Sequence, residues 1–222
     1  MRRRTARASA RPRVVVTAGP TREPIDAVRF ISNYSTGTFG YEIAAEAARR
    51  GCRVTLISGP TALAAPRLVR VVNVESALEM RDAVRKAVRD ADCLIMAAAV
   101  SDWRPRHRSA RKLKRRGRRM TLELTENPDI LREAGRAGRP GMVVAGFALE
   151  TEGLEKNALA KLRAKRADFI VANRLDAKRG LFGDKMIDIT IFDRLGKRKA
   201  WRGKTKKQLA KIVLDKAFSF NI

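Results

Sequence analysis

Two cysteines, one histidine and 5% aromatic residues are little for a chain of 222 residues, and each scarcity closes off a class of protein. Cys52 and Cys93 stand in β-rich apolar runs, CRVTLI and CLIMAAAV. A reduced, buried thiol is the expectation there rather than a disulfide framework, which points to the cytoplasm. His107 has no cysteine or carboxylate at metal-ligand spacing and reads as a surface residue; no dedicated metal motif appears. No apolar run approaches the roughly 20 residues of a spanning helix, so no membrane segment is expected. The start MRRRTARASARPR lacks the apolar stretch of a secretory signal, and residues 1–12 read as a disordered basic tail. Acids are scarce as well: 23 Asp and Glu against 49 Lys and Arg leave a net charge of +26. A surface of that sign selects polyanionic partners, and charge alone leaves nucleotides, nucleic acids and anionic lipid all open.

What is present is enough apolar residue, 45%, to bury a substantial core, with no internal repeat and no long linker. Residues 13–222 therefore read as a single domain. Strand patterns at Arg13–Thr17, Arg53–Ser58, Arg67–Asn73, Leu94–Val100, Met142–Phe147 and Phe169–Ala172 alternate with helical patterns at Gly40–Arg50, Glu75–Arg89 and Leu154–Arg166. That alternation predicts an α/β fold, an open, mostly parallel, Rossmann-like three-layer sheet with right-handed crossovers. Toward the end, Ile187–Phe192 and Lys199–Trp201 bracket the turn Arg194-Leu-Gly196 and predict an antiparallel hairpin, followed by a helix over Thr205–Ala217.

In such sheets ligands bind outside the carboxyl ends of the strands, where this chain carries TAGPTREP, SGP, SDWRP, ALET and Asn173. The loop TAGPTRE is not the G-x-G-x-x-G fingerprint, and no acid follows the second strand to hold a ribose. This argues against an NAD enzyme, while the α/β alternation keeps a nicotinamide or flavin oxidoreductase as a rival reading. In FISNYSTGTFG, Gly37 and Gly40 flank a helix start, so backbone N–H groups and the positive end of the helix dipole can approach an anion, with Ser35 and Thr36 adding hydroxyls. Taken alone, Ser35 as a simple cap and glycines for tight packing explain the stretch equally. Residues 104–119 hold ten Lys and Arg in sixteen positions. They cannot be core, and repulsion among them predicts a mobile basic flap that an anion settles; a solvated loop or a nucleic-acid contact is the plainer alternative.

Taken in order, TAGPTREPIDAVRFISNYSTGTFGYEIA, AAAVSDWRP, KLKR, ENPDIL, GFALET and KLRAKRADFIVAN resemble the phosphopantothenoylcysteine synthetase family, the ligases that join 4'-phosphopantothenate to L-cysteine in coenzyme A biosynthesis. The resemblance runs from about residue 13 to the end. It implies a two-step reaction with CTP as substrate, and Mg2+ arriving with the triphosphate. The substrate carboxylate attacks the α-phosphate, pyrophosphate leaves, and the cysteine amine then displaces CMP from an acyl-cytidylate. It implies roles for particular residues. Asn33 is the amide that turns over the acyl-cytidylate, and Lys112 is the flap lysine on the nucleotide. Arg29 is a clamp for the pantothenate side, with a salt bridge to Asp26 as its alternative role. Ser35, Thr36, Gly37 and Ala98 fall on the substrate side. On the nucleotide side fall Ala99, Asp102, the turn Asn127, Pro128, Asp129 and Ile130, Phe147 against the base, and Lys161 with Lys165. These two lysines are four residues apart on one helix face, otherwise simply an exposed face. The chain departs from the pattern at Thr38, where relatives carry lysine, and at Leu149 in GFALET. The resemblance also implies a homodimer with its site near the subunit boundary. Thirteen preceding residues cannot encode a flavin-dependent decarboxylase, so a separate decarboxylase and no flavin are expected. A basic nucleic-acid-binding α/β module is the rival, and predicts steeply salt-dependent duplex binding.

Overall fold

The computed structural model describes residues 11–115, 117–175 and 186–220. Most of the expected basic tail, Arg116 of the flap and the last two residues lie outside that set. In chain order the elements are β1 (Arg13–Ala18), β2 (Arg22–Pro24), β3 (Phe30–Ser32), α1 (Thr38–Arg49), β4 (Arg53–Ser58), β5 (Val69–Asn73), α2 (Ala77–Ala87) and β6 (Cys93–Met96). They continue with β7 (Trp103–Pro105), β8 (Leu124–Glu126), α3 (Ile130–Ala137), β9 (Val143–Glu150), α4 (Leu154–Lys165), β10 (Phe169–Arg174), β11 (Ile187–Asp193), β12 (Arg198–Lys204) and α5 (Lys206–Phe218).

Eight strands form one sheet in the order β12-β11-β10-β9-β6-β1-β4-β5. The six from β10 to β5 run parallel, and β11 and β12 add an antiparallel hairpin at one edge. The expected architecture is the one that forms. Alternation along β1 explains the layering: Val14 and Val16 point to one face, where Ile43 and Ala47 of α1 and Leu209, Val213 and Leu214 of α5 cover them. Val15 points to the other, beneath Met80 and Val84 of α2, Leu131 of α3 and Leu162 of α4. A strand buried on both sides needs the continuous apolar composition that VVV supplies. Side chains cap two of the helices at their N-termini. Ser76 Oγ accepts from the N–H of Glu79 ahead of α2 (3.3 Å), and Thr205 with Gln208 forms a capping box ahead of α5.

The structure departs from the sequence expectations in three instructive places. The apolar run Leu94–Val100 is not one strand. Pairing of β6 stops at Met96, and the small residues beyond it turn toward the loop after β1. There the N–H of Ala97 donates to the oxygen of Thr17 (3.3 Å) and that of Ala99 to the oxygen of Gly19 (2.9 Å). Nor is the flap without structure: β7 and β8 pair as an antiparallel stem at its base, extended by the N–H of Arg106 donating to Glu123 (2.9 Å). A second short pair, β2 with β3, has no counterpart among the strands expected from sequence.

Candidate active site

The six parallel strands reverse their order between β1 and β6, and the crevice outside the carboxyl ends of such a pair is where an open α/β sheet takes ligands. The segment that leaves β1 there, Gly19–Asn33, binds to nearly everything around it. The N–H of Thr21 donates to the oxygen of Ala99 (3.2 Å), and Thr21 Oγ1 accepts from the N–H of Ser101 (3.0 Å). The guanidinium of Arg22 lies 4.5 Å from the ring centre of Phe30. Glu23, buried, accepts from the N–H of Ala77 and so caps α2 from outside (3.0 Å). Sequence reading assigned Glu23 nothing, because a residue 54 positions from its partner leaves no local signal.

Asn33 closes this segment. Its side chain is exposed at the crevice, and Nδ2 donates to the oxygen of Ala99 (3.1 Å), which leaves the amide oxygen directed away from that contact. The N–H of Ala98 donates to Thr17 Oγ1 (3.2 Å), so the loop bearing Ala98 and Ala99 is held from the β1 side. Arg29 takes the salt bridge to Asp26: Nε and Nη2 lie 3.0 and 2.6 Å from Asp26 Oδ2. The Arg29 guanidinium, and after it the N–H of Leu113, holds the Asp26 carboxyl well below the usual carboxylate range. Leu113 belongs to the flap, and its neighbour Lys112 is exposed.

At the mouth of α1, Gly37 is the N-cap with φ 77° and no side chain caps the helix. Ser35 Oγ accepts from the N–H of Gly37 (3.3 Å), and the hydroxyls of Thr36 and Thr38 share a hydrogen bond (2.9 Å). Thr38 is thus joined to the same turn by a short hydroxyl contact. A Cβ on Gly37 would stand 2.8 Å from the methyl of Thr61 and 3.1 Å from the nitrogen of Gly19. Three loops meet there at distances that only a glycine with positive φ permits.

A second group gathers at the ends of β6 and β9. Asn127 is buried; Nδ2 donates to the oxygen of Ser101 (2.8 Å) and its backbone N–H to the oxygen of Asp102 (2.7 Å). The loop 97–102 is therefore gripped by Asn33 on one side and Asn127 on the other. Pro128 leads into α3, where Asp129 is the N-cap, accepting from the N–H of Arg132 (3.0 Å) and pairing with Lys165. The side chain of Ile130 is core, so the residue offers only main chain to a ligand. Lys161 Nζ donates to the oxygen of Phe147 (2.7 Å). Burial, then the adjacent Lys165, pushes the Lys161 ammonium below its ordinary value, against the opposing pull of Glu150, Asp102 and Asp129. Phe147 packs edge-on against Phe39 of α1, centroids 5.0 Å apart at 82°, which joins the helix mouth to the lysine group. Phe39 was not singled out from sequence; an aromatic inside a Gly-flanked helix start reads as core. Leu149 is exposed beyond this group, while Asn173 lies within β10, partly buried.

The fold thus brings Asn33, Ala98, Ala99 and Asp102 onto one loop system and Asp129, Phe147, Lys161 and Lys165 onto another that shares it. Lys112 is joined to the first through Leu113. A cavity of about 1140 Å3 lies elsewhere among the described residues, against α2 and the β4–β5 edge among Arg13, Arg53, Arg70 and Lys86. Among the described residues no three His, Cys, Asp or Glu side chains gather as a metal site, and no helix is long and apolar enough to cross a membrane.

Residues 9–220 match the family model described as the DNA/pantothenate metabolism flavoprotein C-terminal domain. The chain belongs to that family. Its members here include the Coenzyme A biosynthesis bifunctional protein CoaBC of Bacillus subtilis (strain 168), 44% identical over 187 residues, which are 84% of this chain and 46% of that protein. A protein named cysteine/cysteine sulfinic acid decarboxylase, from an unknown prokaryotic organism, is 41% identical over 205 residues, 92% of this chain and 57% of its own length. The chain spans about half the length of the curated relatives it matches. A crystal structure of the C-terminal domain of a CoaBC protein superposes with a TM-score of 0.79 at 38% identity, covering 92% of this chain and 93% of that one. The flavoprotein-domain sheet with its antiparallel C-terminal edge is therefore common to both.

Proposed function

We propose that this chain is a phosphopantothenate-cysteine ligase acting through an acyl-cytidylate. A carboxylate oxygen of 4'-phosphopantothenate attacks the α-phosphorus of CTP, and the bond to pyrophosphate breaks. The amine of L-cysteine then attacks the acyl carbon, the carbon–oxygen bond to CMP breaks, and the amine gives up a proton. Mg2+ enters with the triphosphate, held by its phosphates and water. The observation that carries the reading is the gripping of the loop Ala97–Asp102 from both sides, by Asn33 and by Asn127, at the point where strand order reverses. It links the neutral amide of Asn33 through one loop to Asn127, whose near neighbour Asp129 pairs with Lys165.

In this reading Asn33 holds the acyl group by hydrogen bonds without adding charge. The uncapped mouth of α1, with Ser35, Thr36 and Gly37, receives an anionic group, and Ala98 lies against the substrate. Ala99, Asp102 and the main chain of Asn127 to Ile130 line the nucleotide, Phe147 lies against the base, and Lys112, Lys161 and Lys165 neutralise charge moving toward the leaving pyrophosphate. Arg29 clamps the pantothenate side. The acting unit is a homodimer in the cytoplasm.

The test is to incubate the protein with CTP, 4'-phosphopantothenate and Mg2+ and to follow pyrophosphate with and without cysteine. Release that requires phosphopantothenate, and continuous turnover that requires cysteine, is expected. No pyrophosphate, together with tight and steeply salt-dependent binding to duplex DNA, would replace this reading with the nucleic-acid one.

A further inference from the structure

Acids are outnumbered 49 to 23 in this chain, yet one of them, Asp26, is 3% exposed and bonds through both oxygens in an orderly division. Oδ1 accepts from the N–H groups of Val28 and Arg29, both at 2.8 Å, and closes a local turn. Oδ2 accepts from Nε and Nη2 of Arg29 and, at 3.0 Å, from the N–H of Leu113. Arg29 Nη2 in turn donates to the oxygen of Leu113 (3.0 Å). Both backbone groups of a flap residue 87 positions away are thus held by one carboxylate–guanidinium pair. A second tether, the N–H of Ser109 to the oxygen of Ile25 (3.1 Å), lies beside it.

The need for such a tether follows from charge. A segment with ten Lys and Arg in sixteen positions, on a body that is itself strongly positive, is pushed outward. An acid fixed on the body is what draws it in, and a buried carboxylate is screened by salt far less than a surface one. The turn that Asp26 closes runs directly into β3 and then Asn33.

We propose that Asp26 is a positioning residue that latches the basic flap through Leu113, so that Lys112 and Asn33 are carried on one hydrogen-bonded unit. The latch itself stands on this geometry; only its kinetic consequence rests on the ligase reading. Arg29 keeps one nitrogen, Nη1, outside the bonds that make the latch, which on the ligase reading leaves it for the anionic substrate.

The division between the two oxygens supplies the test. Asp26→Asn keeps an oxygen for the local turn and replaces the latching oxygen with an NH2 that faces donors. Leu113→Pro removes the latched N–H from the other side, at an exposed position. The rate of tryptic cleavage within residues 106–119, located by mass spectrometry on the folded protein, tracks how often the flap is released. Each variant is expected to raise it about tenfold, the scale of one lost bond to a charged group, and the double variant no further than either single one. The KM for CTP rises about tenfold in both, with kcat at saturating CTP nearly unchanged. Glu123→Gln, which breaks the exposed pair with Arg106, leaves both readouts near wild type. Unchanged flap cleavage in Asp26→Asn, cleavage that rises equally at sites outside the flap, or additive effects in the double variant would each overturn the latch. A wild-type protein without CTP turnover would remove the ligase reading and leave the cleavage result to decide the latch by itself.

Discussion

Gly40 offers a quantitative check on how tightly the mouth of α1 is pressed against the sheet. A Cβ there would stand 2.5 Å from the Cβ of Ala18 and 2.8 Å from the oxygen of Thr17. Both atoms belong to β1, paired on both sides, and neither can rotate aside. Gly40→Ala therefore forces the first turn of α1 back by about 1 Å. Overpacking of this kind costs roughly 1–3 kcal/mol, with the immovable strand favouring the upper end, while the better helix preference of alanine returns about 1 kcal/mol. The net loss is about 2 kcal/mol, or roughly 4–8 °C in melting temperature for a chain of this length. Displacement of that size also moves the N–H groups at the mouth of α1, so on the ligase reading affinity for CTP or phosphopantothenate falls about tenfold or more. Gly51 is the control. It has φ 81° and nothing within 4 Å of an added Cβ, so Gly51→Ala suffers backbone strain of about 1–2 kcal/mol and keeps its affinity. Thermal and denaturant melts of the two variants, with titrations of each ligand, check both halves. A Gly40→Ala protein as stable as wild type would mean that helix preference prevails and α1 is not pressed on β1.

Lys161→Met removes a partly buried ammonium whose protonation desolvation disfavours. The variant should be at least as stable as wild type at pH 7 and should lose most pyrophosphate release, and a melt beside a single-turnover assay separates the two effects. Asn33→Asp sets a carboxylate against the oxygen of Ala99 and adds charge beside an anion. Activated intermediate should accumulate without being consumed, as shown by pyrophosphate release without product amide, and full turnover would refute the role given to Asn33. Glu46, buried in α1, accepts from Arg49 and then Arg50, and its carboxyl is held down to about 2 from an ordinary 4.5. A depressed carboxyl contributes stability above its unfolded value and loses it as pH falls toward the folded one. The gap in stability between wild type and Glu46→Gln should be full above about pH 4.5 and close toward pH 2. Urea melts across that range would show it, and a gap that does not vary with pH would refute the pairing.

What the sequence made legible follows from range. The strands and helices of the sheet announce themselves because Val14 to Val16 or Ile187 to Phe192 repeat a local period that packing later satisfies. The short pairs did not: β2 and β7 are three residues each, both end in proline, and neither carries an alternation long enough to register. Loop positions at the strand ends were readable as a set, since helix starts and glycines mark them. Their wiring was not. Asp26 meets Leu113, Glu23 meets Ala77 and Phe39 meets Phe147 across gaps that only the folded chain closes. The run Leu94–Val100 misled for a physical reason, because alanines serve a strand interior and a tightly held loop equally well.

Of the sheet's eight strands, β1 comes first in sequence and stands sixth in the row. β1 lies between β4 and β6, and its edge toward β6 has no mate until Cys93–Met96 has been made. At translation speeds of about 5–20 residues per second, the stretch from the end of β4 at Ser58 to β6 takes about 2–8 seconds, during which a strand apolar from Val14 to Val16 can be paired along one side only. Hazard from aggregation is thereby concentrated on VVV in that interval, and a trigger-type holding chaperone or a slow stretch of codons would exert its effect there rather than at the late, charged hairpin.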